Sequence, residues 1–432
     1  MLSIVGLICI LLIVALLLSG RITPVIALTI IPILGALMVG FSPAEIGTFF
    51  SEGVAKVLPV VVMFIFAILY FGIMNDVGLF DPLIRSMVDL SRGNVISVAI
   101  GTVVVAAIAH LDGSGASTFL ITIPALLPLY KKLRMSPYLL LLLVGTSASI
   151  INMVPWGGPI GRAAAVLEVD PTELWRPLIP LQAAAILLLV AMATALGVRE
   201  TRRIAKQDNV EASDARAPEN SAEPARLQSG KLWFNVLLTM TVVGFLVWGV
   251  VPAGLTFMVA TSIALLINFP AARDQMQQIK AHAPNALLMA AIILAAGSFL
   301  GTMNGTGMLN ALATDFVALM PTSVSRYLHL IVGVLGVPFE LVLNTDAFYF
   351  ALLPIVEQII QGYGVDTTGA AYAMIIGNII GTFISPFSPA LWMALGLAEL
   401  EMGRHIRYSL LWMWGFSLVL LLVAFLMGLI AI

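Results

Sequence analysis

The sequence predicts an all-α polytopic membrane protein, an inverted repeat with five spans plus one re-entrant hairpin per half and paired broken helices. Three observations point there. The 432 residues are 60% hydrophobic and 10% charged, where soluble domains carry roughly a quarter charged residues. Near the middle, residues 199–230 gather Arg199, Arg202, Arg203, Lys206, Asp208, Glu211, Asp214, Arg216 and Glu219 among Ala, Ser, Asn and Pro, the composition of a solvated linker. On either side of it, landmarks recur in order. Gly72-Ile73-Met74-Asn75-Asp76-Val77-Gly78 stands opposite Gly301-Thr302-Met303-Asn304-Gly305-Thr306-Gly307 at an offset of 229, Pro124 opposite Pro354 at 230, and Pro155 opposite Pro386 at 231. Such a drift is what single insertions leave in a duplicated unit.

The first unit, 1–198, opens with apolar spans at 2–20, 22–41 and 56–79. The stretch Leu2 to Ser19 lacks a basic segment before it and has Arg21 after it, so it reads as a retained span and not as a signal peptide. An amphipathic piece, 80–93, carries Asp81, Arg85, Asp89 and Arg92. Next come two half-length apolar arms, Val95 to Ala109 and Phe119 to Tyr130, around His110-Leu111-Asp112-Gly113-Ser114-Gly115-Ala116-Ser117-Thr118. Each arm is too short for a bilayer, which needs ~20 apolar residues, so 94–131 reads as a re-entrant hairpin. Polar backbone and a carboxylate at membrane depth are tolerated only inside protein or along a wet cavity. A run at 136–154 breaks at 155–161, Pro-Trp-Gly-Gly-Pro-Ile-Gly, and continues to 167; a further span covers 174–198.

The linker, 199–230, separates this unit from the second, 231–432. Spans are expected there at 231–250, 253–269 and 286–303, a second hairpin at 323–361, a span at 368–384 broken at 385–389, Ser-Pro-Phe-Ser-Pro, and a last span at 406–431. Five spans per unit is odd, so the second copy enters the membrane upside down. Inverted repeats with matched broken helices are the sequence mark of secondary transporters whose site lies near the bilayer midplane. With both termini outside, seventeen of the twenty-one Lys and Arg residues fall on the cytoplasmic side, linker included, as the positive-inside rule requires. The first hairpin then opens to the cytoplasm and the second to the outside.

The second tip, by the repeat, is Glu340-Leu341-Val342-Leu343-Asn344-Thr345-Asp346-Ala347, with Glu340 opposite His110, Asn344 opposite Ser114 and Asp346 opposite Ala116. Asp112 and Asp346 at depth suggest a cation, metal or proton site; each also suits the start of the following helix as a cap. His110 has the chemistry of a proton relay or of a buried hydrogen-bonded residue. Glu340 joins them as a coupling candidate. Breaks inside the membrane free backbone N–H groups for anions and carbonyls for cations, which singles out Gly157, Gly158, Ser385 and Ser388; a plain proline kink is the alternative. Ser114, Gly115, Ser117, Thr118, Asn344 and Thr345 line the tips. Arg162, just past the first break, suits a carboxylate, which its fork grips at two oxygens, or a local ion pair.

No Gly-x-x-x-x-Gly-Lys-Ser/Thr and no His-Glu-x-x-His occurs, so neither ATP-driven transport nor an enzyme is expected, and no nucleic-acid partner. Cys9 is the only cysteine and can form no intrachain disulfide. A channel, the remaining class, would need a continuous pore.

At Phe71-Gly72-Ile73-Met74, Gly78-Leu79-Phe80-Asp81-Pro82-Leu83, Leu111-Asp112-Gly113, Leu127-Pro128-Leu129-Tyr130-Lys131 and Asn152-Met153-Val154-Pro155-Trp156-Gly157-Gly158-Pro159 the chain resembles the CitMHS family, the citrate–divalent metal:proton symporters of the ion transporter superfamily. The resemblance covers nearly the whole chain and is weakest in the linker. It implies proton-driven uptake of citrate, with Mg²⁺ or Ca²⁺ carried along and no permanently bound cofactor, across a bacterial cytoplasmic membrane. Sodium- or proton-coupled carriage of another carboxylate, such as a dicarboxylate or gluconate, is the neighbouring possibility. The wider superfamily implies a homodimer of the elevator type, with a scaffold domain, built here from the first two spans of each half, and a moving transport domain. The family pattern Asp-Gly-Asp-Gly at the first tip is Asp112-Gly113-Ser114-Gly115 in this chain, one carboxylate fewer.

Overall fold

The computed structural model describes residues 1–18, 21–79, 81–82, 94–208, 229–249, 251–319 and 322–430. Almost all of the amphipathic piece at 80–93 and most of the linker lie outside them. The described residues form helices and no strand. Six helices are long and apolar enough to cross a membrane: Pro43–Asp76, Val95–Asp112, Pro171–Lys206, Lys231–Trp248, Ala272–Gly305 and Met402–Leu426.

The first half runs α1 (Leu2–Leu18), α2 (Pro24–Met38), α3 (Pro43–Asp76), α4 (Val95–Ala109), α5 (Gly115–Lys132), α6 (Pro137–Ile151), α7 (Gly158–Leu167) and α8 (Ile179–Asp208). The second runs α9 (Ser229–Trp248), α10 (Ala253–Asn268), α11 (Ala272–Gly305), α12 (Met308–Leu319), α13 (Leu328–Val334), α14 (Leu353–Gln361), α15 (Thr367–Ile379), α16 (Pro389–Ala398) and α17 (Met402–Leu426). The halves match in detail. Both ends of α3 and α11 differ by 229, and both ends of α7 and α16 by 231. Left-handed backbone recurs at Gly78 and Gly307, Arg134 and Gly364, and Glu168 and Glu399, again at 229, 230 and 231.

Helix α3 starts well before the expected residue 56. Ser42 and Glu45 form a reciprocal capping box, Ser42 N–H donating to Glu45 Oε2 at 2.8 Å and Glu45 N–H to Ser42 Oγ at 3.3 Å, with Pro43 as the first helical residue. This local signal outweighs the polar residues Ser51 and Glu52, which face outward. Helix α11 likewise starts at Ala272, not 286, and α12 falls in a stretch where no span was expected. At the other boundary α8 runs on to Asp208, past the expected start of the linker at 199. Its charged end is docked: Glu200 Oε1 accepts from Ser136 N–H at 2.5 Å and from Arg203 at 2.7 Å, and Arg203 also donates to the Arg134 carbonyl at 2.6 Å.

Helices α3 and α11 cross antiparallel at the centre. A Cβ on Gly53 would stand 2.1 Å from the Gly297 carbonyl and 2.7 Å from Gly301 Cα, and one on Gly72 would meet the His282 ring at 2.5 Å. An offset of 229 turns Gly53 into His282 and Gly72 into Gly301, so the two contacts exchange with each other, as contacts across a two-fold axis do. The hairpins are held alike. Ser147 on α6 donates to the Val103 carbonyl of α4 at 2.8 Å. At the same places in the second half, Gly377 of α15 lies so close to the Gly333 carbonyl of α13 that a Cβ would be 1.9 Å away.

Candidate functional site

The first tip lies where the sequence places it. Helix α4 ends at Ala109, one 3-10 turn covers His110–Asp112, and Gly113 at φ +71° turns the chain into α5. Ser114 caps α5, accepting weakly from Ser117 N–H at 3.4 Å. Asp112 accepts from Ser114 N–H at 2.8 Å and from the Ser117 hydroxyl, so both its oxygens serve the tip itself. His110 is fully buried. Asn152 Oδ1 accepts from His110 Nε2–H at 3.0 Å, so in the neutral ring Nδ1 is the acceptor and the Thr118 hydroxyl, 2.6 Å away, donates to it; that hydroxyl also stands 2.7 Å from the Ser114 carbonyl. Nδ1 thus ties the turn to α5 of its own hairpin and Nε2 ties the tip to the first break.

The second tip repeats the backbone device. Asn344 accepts from Ala347 N–H at 2.8 Å, the role Ser114 plays 230 residues earlier. Its acid points elsewhere. Asp346 Oδ1 accepts from Arg162 Nε at 2.7 Å, with the two side chains 15% and 12% exposed. Arg162 stands in the first turns of α7, and a Cβ on Gly158 would come within 2.7 Å of its Nη1. Glu340, 1% exposed, accepts a long bond from Thr345 Oγ1 at 3.5 Å and has Asn378 and Ser385 beside it. Among the described residues Glu340 Oε2, Asn378 Oδ1 and the Tyr349 hydroxyl have no hydrogen-bond partner. Buried polar atoms are rarely left so.

The two breaks separate α6 from α7 and α15 from α16. Ser149 Oγ donates to the Ile380 carbonyl at 3.3 Å and joins them. Neither Gly157 before α7 nor Ser388 before α16 places a side-chain cap on the helix N-terminus, and Ser385 Oγ accepts from Phe387 N–H at 3.4 Å.

Tips and breaks therefore meet. The first tip touches the first break through His110 and Asn152 and the second through Gly115, whose Cβ would stand 2.8 Å from Phe383 and 2.9 Å from Ala390. The second tip touches α7 through Asp346 and Arg162, and the second break where Gly381 faces Glu340. Asp112 and Asp346 engage different partners, and no three acidic, His or Cys side chains among the described residues converge. Three neighbours of the site had no role assigned from sequence. Trp156 donates Nε1–H to the Leu111 carbonyl at 2.8 Å and stacks on Phe71 at 4.8 Å. Phe383 meets the His110 ring edge-on at 5.7 Å. Tyr349 sits in a π-helical turn, Phe348–Leu352. Trp156 lies inside the Pro-Trp-Gly-Gly-Pro signature, which was the available hint; Phe383 and Tyr349 look like ordinary apolar-arm residues.

Two polar tips face two broken helices among apolar spans, and the family and relatives that the chain matches make it a membrane transporter and not an enzyme. It belongs to the CitMHS family, described as citrate transporter, whose family model matches residues 4–377. Two Bacillus subtilis (strain 168) proteins match the chain over its full length and theirs: a "Citrate transporter" at 37% identity and a "Mg(2+)/citrate complex secondary transporter" at 36%. A third, the "Uncharacterized transporter YraO" of the same organism, is 33% identical over 439 residues. The fold is also that of the Alcanivorax borkumensis YdaH transporter, whose crystal structure is described as revealing an unusual topology; the TM-score is 0.63, with 90% of this chain and 89% of that one covered at 16% identity.

Proposed function

We propose that the protein is a secondary active transporter that imports citrate, complexed with Mg²⁺ or Ca²⁺, by proton symport. The meeting of both tips with both breaks, with Arg162 of the first half reaching the second tip, carries this reading. It offers a guanidinium for a carboxylate, uncapped N-termini of α7 and α16 for others, and acids for a cation. Glu340 is the candidate proton carrier, because it is buried at the second tip, its Oε2 has no hydrogen-bond partner among the described residues, and Asn378 and Ser385 lie beside it. His110, bonded at both nitrogens within the protein, is better suited to bracing the first tip than to relaying protons. Asp112, spent on its own tip, is the weaker metal ligand and Asp346 the stronger. Citrate is in the names of both Bacillus relatives and Mg²⁺ in the name of one; Ca²⁺ follows from the family resemblance.

The exchanged contacts of α3 and α11 support an inverted repeat, with both termini on one side and the linker on the other; the Lys and Arg distribution favours termini outside and the linker in the cytoplasm of a bacterial inner membrane. An elevator-type homodimer, with scaffold and transport domains, follows from family resemblance. The test is radiolabelled citrate uptake into proteoliposomes under an imposed pH gradient, with and without Mg²⁺ or Ca²⁺. Uptake that needs gradient and metal together is expected. Uptake indifferent to metal would point to a free carboxylate, and no uptake under any gradient would overturn the citrate reading.

A further inference from the structure

The Arg162–Asp346 pair has the geometry of an exchange site. Among the described residues only Nε of Arg162 is engaged, by one carboxylate oxygen. A guanidinium has five donors arranged to grip a carboxylate at two points, so most of this one's capacity is unspent. Gly158 leaves its Nη1 the room that a Cβ would take. Both partners are largely buried at 12% and 15% exposure, and removing one partner of such a pair is costly because the other charge is stranded. Arg162 therefore changes partners more readily than it gives one up. The equivalent positions in the other half, Met393 and Ala116, hold no such pair, so the carrier has one exchange unit and not two. The other titratable groups within reach of the Arg162 charge are Glu340 and Tyr349.

Resting on the citrate reading above, we propose that Asp346 is a built-in stand-in for a substrate carboxylate: citrate takes Arg162 from it, and the released Asp346 then ligates the divalent cation that citrate carries. The exchange sets a negative Asp346 beside a negative substrate, and only a cation shared between them makes the arrangement favourable. Asp346 supplies one oxygen ligand and citrate supplies more, in the manner of Mg²⁺ held by one or two carboxylates together with substrate oxygens. Metal dependence then arises from competition for one guanidinium and requires no complete metal site in the protein.

Citrate binding to the purified full chain, measured calorimetrically with and without Mg²⁺, tests this. The wild type should bind citrate about tenfold more tightly with Mg²⁺, within the usual ~5–150-fold range of coupling between two ligands. Asp346→Asn should bind metal-free citrate more tightly than the wild type does, and Mg²⁺ should then change its affinity by less than about twofold. Asp346→Ser gives the same readout should the amide disturb folding, and Asp346→Glu, which keeps the charge, should keep the metal effect. A wild-type Mg²⁺ effect retained in Asp346→Asn and Asp346→Ser would overturn the exchange. Failure of the wild type to bind citrate at any Mg²⁺ concentration would instead overturn the citrate reading, and the exchange with it.

Discussion

The two tips share a backbone and differ in chemistry. Ser114 and Asn344, 230 residues apart, cap the helices that leave the tips in the same way. Beyond that they part. In the first tip the acid turns inward: Asp112 is consumed by Ser114 and Ser117, and a histidine anchors the tip to the break of its own half. In the second the acid turns outward, and Asp346 reaches the arginine of the opposite half. The two tips are matching backbone frames that carry different side-chain chemistry. The first tip is built to hold its shape, while the second is built around an ion pair that can change partners.

The largest effect should come from breaking that asymmetry. Arg162→Gln strands Asp346 at depth, a loss of about 3–5 kcal/mol for a buried pair broken on one side, and should abolish citrate uptake; Met393→Leu at the equivalent, partly buried place is a volume-conserving swap costing under about 1.5 kcal/mol and should leave uptake within about twofold. The helix crossings come next. Gly377→Ser drives a side chain into the Gly333 carbonyl and should cost about 1–3 kcal/mol as overpacking, lowering the melting temperature. Its counterpart Ser147→Gly loses one hydrogen bond, about 1 kcal/mol. Trp156→Phe keeps the stack on Phe71 but drops the bond to Leu111, again about 1 kcal/mol, read as a small shift in melting. Smallest should be Ser114→Asp, since Ser and Asp cap helices within a few tenths of a kcal/mol of each other; it sharpens the comparison by giving the first tip a second acid, and its readout is a change in the Mg²⁺ dependence of uptake with no change in melting.

The two helices and the tip within 94–131 were legible almost to the residue, because the arms are uniformly apolar and the tip is not, although Val95–Asp112 is long enough to cross a membrane where a half-length arm was expected. Both breaks were marked by paired prolines. The second hairpin was harder. Its entering arm is cut at Leu335 between α13 and a short turn, Gly336–Phe339, and its leaving arm opens through π-helical Phe348–Leu352. Pro354 lacks the N–H that an α-helical carbonyl four residues earlier would need, and a π-turn is one way a helix absorbs such a loss. Hydropathy reports none of this. It also placed the starts of α3 and α11 too late, since an exposed polar first turn reads as loop in an apolar chain, whether side-chain-capped as at α3 or not as at α11. The partner of Arg162 was beyond sequence altogether. Arg162 and Asp346 were each singled out, but nothing local joins residues 184 positions apart; only the crossing of the two halves does.

The most direct measurement is citrate uptake into proteoliposomes by the wild type, Asp112→Asn and Asp346→Asn, each with and without Mg²⁺. The account predicts that Asp112→Asn lowers both rates by a common factor and preserves their ratio, while Asp346→Asn brings the ratio toward one. A ratio lost in Asp112→Asn and kept in Asp346→Asn would contradict it, and would move the metal chemistry to the first tip.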